Sequence, residues 1–166
     1  GSSVCAKFSD DRPYGSHLVC DHMNDTGLVP HLSELETGPP HLFGEWDTSP
    51  APRGPTGVYT VWRGDEFVYV GISYRDASET PNKAAKGLWG RLSSHASGRR
   101  SGDQFCIYIC DRFVLRTLST AEIDKVAEGS LRLDALTRTY IRTHLAYRFV
   151  VTPNGAEARR LERVIQ

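Results

Sequence analysis

The chemistry this sequence could do rests on Tyr59, Tyr69, Arg91, His95 and Glu162. Arg91 sits in "GLWGRLSSHA" at the edge of the apolar stripe made by Leu88 and Leu92, not on the opposite, solvated face. A guanidinium held near a cleft clamps a phosphate through its planar fork, although a solvated arginine is the commoner explanation of such a residue. His95, one turn further on the same face, reads either as a hydrogen-bonded core histidine or as a proton carrier. Glu162 stands at the margin of the stripe Ala158, Leu161 and Ile165, where a carboxylate needs a cation or a metal as partner. The competing reading is a surface pair with Arg159, worth roughly 0.2–0.5 kcal/mol. Tyr59 and Tyr69 lie in β-rich runs, where tyrosine commonly packs its ring and finds a partner for its hydroxyl. Gly57 and Gly71 weaken those runs and point to close approach of a ligand or of another backbone.

Those residues need elements to hold them. "GVYTVWR" and "EFVYVG" around Gly64-Asp65 predict a hairpin, with two possible registers. A tight turn of two residues sets Thr60 opposite Tyr69 and leaves Tyr59 on the other face; a loop of odd length sets Val61 opposite Tyr69 and puts both tyrosines on one face. Gly-Asp invites the tight turn, whereas a shared site demands the odd loop. The spacing predicts a helix through Leu88, Arg91, Leu92 and His95, and "QFCIYIC" at 104–110 reads as a buried strand. Ser119 and Glu122 form a capping box for a helix ending near Gly129, and Ser130 begins a second helix to about Leu145. "YRFVV" is another strand, and Asn154 with Glu157 opens the last helix. A hairpin followed by helices predicts an α+β fold with a mostly antiparallel sheet.

Residues 37–56 hold five of the nine prolines, so regular helix or central strand is not expected there; upstream, Leu28, Leu32 and Leu35 predict a short helix. The division expected is an acidic Pro/Gly-rich arm, 1–56, before a domain at 57–166. The formal net charge of zero hides that division: 1–56 carry 3 Lys/Arg against 8 Asp/Glu, and 57–166 carry 17 against 12. A polyanion would therefore meet the second part, where Arg99 and Arg100 in "SGRRSGD" and Lys83 with Lys86 upstream are candidate phosphate contacts, a solvated loop being the plainer reading. No apolar run approaches the roughly 20 residues that span a bilayer, which predicts a cytoplasmic protein with no membrane partner. Cys5, Cys20, Cys106 and Cys110 fit reduced thiols and not a disulfide framework, and Cys5, Cys20, His17 and His22 have no recognised zinc spacing.

Taken in order, "GVY", "YVG", "RLSSH" and "EARRLE" resemble the GIY-YIG nuclease family over residues 57–166. The resemblance implies a small, mostly antiparallel three-stranded sheet flanked by helices, with an irregular N-terminal extension outside it. It implies metal-dependent hydrolysis of DNA phosphodiesters, with Mg²⁺ or Mn²⁺, in a restriction, repair or mobile-element setting. Position by position, Tyr59 and Tyr69 match the motif tyrosines, Arg91 the arginine of the first helix, Glu162 the metal-binding glutamate, and His95 a position often polar or histidine. The implied roles are Tyr59 as base and Tyr69 as the residue orienting water or phosphate, an assignment that could be exchanged. Arg91 would stabilise phosphate charge. "ISYRDASETPNKAAKGLWG" is longer than the compact members need, and the asparagine that follows the glutamate in many relatives has no counterpart before Gln166. The alternative is a catalytically inactive nucleic-acid-binding module with the same fold.

Overall fold

The register of the hairpin decides whether the two tyrosines share a face. In the computed structural model, which describes residues 27–73 and 87–166, β2 (Gly57–Arg63) and β3 (Glu66–Ser73) run antiparallel. Arg63 faces Glu66 and Trp62 faces Phe67 across the tight Gly64-Asp65 turn, where Gly64 takes a left-handed φ of 59°. The register then shifts: Val61 pairs with Tyr69, so Val68 is the extra residue of a β-bulge, and Tyr59 pairs with Gly71. The turn is thus the tight one, and the expectation that a shared face excludes it is corrected. Because side chains alternate with a period of two, the single inserted residue carries Tyr69 to the face of Tyr59.

β4 (Ala146–Val151) lies antiparallel along the other side of β2, and β1 (His41–Leu42) pairs with β4, giving the order β1-β4-β2-β3. Among the described residues the sheet therefore has four strands, not three. The added strand comes from the proline-rich segment, where a short edge strand is compatible with prolines and a central one is not.

Local signals account for most helices. α1 (Val29–Thr37) has Pro30 in its first turn, where the missing N–H is harmless. α2 (Gly87–Ala96) is anchored at its start: Leu88 and Trp89 donate backbone N–H groups to Pro55 and Pro52, and the Arg53 guanidinium lies 3.5 Å from the Trp89 ring centre. "QFCIYIC" is not a strand. It forms α3 (Gln104–Ile109), whose buried residues Phe105, Cys106 and Ile109 follow helical spacing. Asp103 caps it by accepting from the N–H groups of Phe105 and Cys106, and packing overrides the β preference of the run. The chain continues through a π turn at Cys110–Val114 and a 3-10 turn at Leu115–Thr117. α4 (Thr120–Ala127) carries the Ser119–Glu122 capping box; α5 (Leu133–His144) starts later than Ser130; and α6 (Gly155–Ile165) is capped by the Asn154 side chain.

The alternation of β2 sorts the core into two layers. Val58 faces Leu35 of α1 and Ala158, Leu161 and Ile165 of α6. Tyr59 and Val61 face Leu88 and Leu92 of α2, Phe105 of α3 and Ile141 of α5. Full burial of one such leucine is worth about 1.5–3 kcal/mol. The described part of the acidic segment joins both layers, Leu28 and Leu35 in one, Phe43 and Trp46 in the other. Among the described residues no helix is long and apolar enough to cross a membrane. Lys83 and Lys86, together with Cys5, Cys20, His17 and His22, lie outside the described residues.

Candidate active site

On the α2 side of the sheet, three buried side chains form a string. Tyr59 Oη lies 2.7 Å from His95 Nε2, and His95 Nδ1 lies 2.7 Å from Asp103 Oδ2. The second oxygen, Asp103 Oδ1, accepts the Phe105 N–H at 3.0 Å and the Cys106 N–H at 3.4 Å. Tyr59 and His95 are 0% exposed and Asp103 2%. The Phe105 ring packs against His95 at 4.3 Å between centres. Asp103 is the residue that sequence reasoning missed. Its signal was present, an aspartate ahead of an apolar run, but reading that run as a strand hid a helix N-cap.

The charges around the string pull in opposing directions. Burial pushes the Tyr59 phenol well above its ordinary range, Tyr69 adds to the rise, and the Arg91 guanidinium beside it works the other way. Burial also raises Tyr69, opposed by Arg91 and reinforced by Asp103 and Glu162. Burial disfavours the Arg91 charge, but Tyr59, Asp103 and Tyr69 more than compensate and raise its pKa. His95 is held down by burial against the pull of Asp103, and burial of Asp103 is outweighed by its bonds to His95 and by Arg91, which keep the carboxyl below its usual range.

Glu162 comes from the opposite layer. Its helix, α6, packs on the Val58 face, while Arg91 stands on α2 across the sheet. β3 is an edge strand, and at Tyr69 the Arg91 charge acts to lower the phenol pKa while the Glu162 charge acts to raise it. Glu162 is half-buried, and burial raises its carboxyl pKa while Arg159 lowers it. A carboxylate in that position is one that a divalent cation would hold ionised, and a single hard oxygen donor suits an ion that keeps most of its water. Among the described residues Glu162 belongs to no group of three or more ligand side chains, so a metal there would rest on this one carboxylate and its waters.

A second donor group exists. His95, Asp103 and Cys106 present ligand atoms within 4.8 Å of one another, a set that could hold a metal ion. The same atoms are already engaged, His95 with Asp103 and the Cys106 thiol donating to the His95 carbonyl at 3.5 Å. Burial pushes the Cys106 thiol far up, so an ion there would have to displace both contacts and a proton.

The glycines have a structural reason that differs from ligand approach. A Cβ on Gly71 would lie 2.3 Å from Tyr59 Oη, and one on Gly57 would lie 2.2 Å from the Val150 carbonyl oxygen. Of the candidate phosphate contacts, Arg99 is exposed, whereas Arg100 Nε donates to Asp134 Oδ1 at 2.8 Å. The shallow groove along the outer stripe of α3, lined by Gln104, Ile107, Tyr108, Asp111 and Arg112, shares no residue with the Tyr59 string.

No family model, curated protein or solved structure matches this chain.

Proposed function

We propose that the protein is a divalent-metal-dependent nuclease of the GIY-YIG type that hydrolyses DNA phosphodiester bonds. One observation carries this reading. Tyr59 of β2 and Tyr69 of β3 share one face with ring centres 6.4 Å apart, and His95, on the same helix as Arg91, stands 2.7 Å from the Tyr59 hydroxyl.

The side chains have distinct work in this reading. Arg91 binds the phosphate and stabilises the charge that develops on it. Tyr59 takes the proton of the attacking water while passing its own to His95, because a buried phenol raised above its ordinary pKa is a poor reservoir of phenolate. Tyr59 is enclosed, so this reading requires the attacking water to be admitted with the phosphate. Tyr69, at 8% exposure, orients water or phosphate. Glu162 would hold Mg²⁺ or Mn²⁺, which supplies positive charge at the phosphate and leaving oxygen. Exposed Arg99 would meet the DNA backbone, and restriction, repair or mobile-element cleavage are the settings that suit such an enzyme.

The enclosure of Tyr59 favours a second reading, a catalytically inactive nucleic-acid-binding module in which the buried string is structural. Plasmid cleavage with Mg²⁺ or Mn²⁺ separates the two. The nuclease reading expects cleavage by the parent and loss in Glu162→Ala and Arg91→Ala, with folding retained. Robust cleavage unaffected by either substitution removes these residues from the site; DNA binding without cleavage selects the inactive module.

A further inference from the structure

We propose that Asp103 is a positioning residue that locks His95 in the tautomer with its proton on Nδ1, leaving Nε2 to accept the proton of Tyr59. The two carboxylate oxygens of Asp103 have different partners. Oδ1 is held by donors that cannot turn into acceptors, the backbone N–H groups of Phe105 and Cys106. Oδ2 therefore stands fixed against His95 Nδ1 at 2.7 Å, and an ionised carboxylate only accepts. The proton between them must sit on the ring nitrogen. A neutral imidazole carries one N–H, so Nε2 presents a lone pair to the Tyr59 hydroxyl 2.7 Å away. Burial keeps the ring neutral at rest.

The groups facing His95 agree with this assignment. Asp103 attracts a second proton and Arg91 opposes one; Tyr59 and Tyr69 stand on the sheet side, with the ring of Phe105 against the imidazole. The proposal rests on the nuclease reading for its purpose, and the proton balance follows. Water gives a proton to Tyr59 Oη as Tyr59 gives its own to His95 Nε2. Hydroxide is left to attack the phosphate, and an imidazolium is paired with the Asp103 carboxylate. After attack the proton returns through Tyr59 to the leaving oxygen or to solvent. Asp103 touches neither substrate nor water and acts only through His95.

Asp103→Asn is the informative variant because asparagine caps a helix about as well as aspartate. Its single carbonyl oxygen stays with the two backbone N–H groups, so its NH₂ turns toward His95 and demands a bare Nδ1. The tautomer should then invert. The full chain labelled with ¹⁵N-histidine reports this directly: the parent should show protonated Nδ1 and bare Nε2 for His95 at neutral pH, and Asp103→Asn the reverse. With melting temperature held within a few degrees, plasmid cleavage should fall on the order of 10²–10⁴-fold. A parent with the proton on Nε2, or an Asp103→Asn protein that keeps the parent tautomer or the parent rate, overturns the proposal. A parent that cuts no DNA sinks the nuclease reading, while the tautomer spectrum still decides the assignment for Asp103.

Discussion

Gly71→Ala tests the cross-strand contact on which the site depends. The new Cβ would lie 2.3 Å from Tyr59 Oη, 2.5 Å from Tyr59 Cζ and 3.0 Å from Tyr69 Cε1. Ordinary contact begins near 3.4 Å, so the tyrosine must retreat by about 1 Å. A retreat of that size is enough to break its 2.7 Å contact with His95, since a hydrogen bond is gone by about 3.6 Å. Overpacking costs about 1–3 kcal/mol and the lost bond about 1 kcal/mol. Taking about 3 kcal/mol as the total, Tm should fall by about 6–12 °C for a chain of this size, and cleavage should fall with it. Gly64→Ala is the control: a Cβ there meets nothing within 4 Å, and only its left-handed φ of 59° is strained, at about 1–2 kcal/mol. In a Tyr59→Phe background the hydrogen bond is already absent, so Gly71→Ala should cost about 1 kcal/mol less than in the parent. Denaturant unfolding of the four proteins of that cycle measures the coupling. A Gly71→Ala protein as stable as the parent, or zero coupling to the Tyr59 hydroxyl, refutes the packing argument.

Further outcomes follow from the same geometry. The folded-state pKa of Glu162 lies above its unfolded value, so the group favours the folded state at low pH and loses that contribution as pH rises through the folded pKa. Glu162→Gln should therefore be neutral near pH 4 and stabilising at pH 7, and Mg²⁺ should raise Tm of the parent but not of this variant; thermal melts at both pH values check both points. Deleting Val68 removes the bulge but leaves Trp62 opposite Phe67, Val61 opposite Tyr69 and Tyr59 opposite Gly71, so the deleted protein should stay folded with both tyrosines on one face, and a deletion that unfolds the sheet would contradict the register. The Cys106 thiol, buried and pushed far above its ordinary pKa, should resist alkylation at pH 8 in the native protein and react after unfolding, which mass spectrometry resolves.

The sequence by itself determined what is written within a few residues. The capping box Ser119–Glu122, the Asn154 cap and the stripe Ala158, Leu161, Ile165 are local patterns, and each produces the helix end or buried face it implies. The α+β composition and the antiparallel hairpin were legible for the same reason, since turn residues and side-chain periodicity act over one or two turns of chain. Tertiary structure decided the rest. "QFCIYIC" has strand-like residues, and only packing of Phe105, Cys106 and Ile109 into the core makes it a helix with Asp103 at its cap. The hairpin offered a tight turn or a shared tyrosine face, and a bulge at Val68, invisible to turn chemistry, supplied both. His95 could have been a core residue or a proton carrier from its spacing alone. Its partners Tyr59 and Asp103 come from a strand 36 residues earlier and a cap 8 residues later, and no local pattern encodes a contact that exists only when the chain has closed around it.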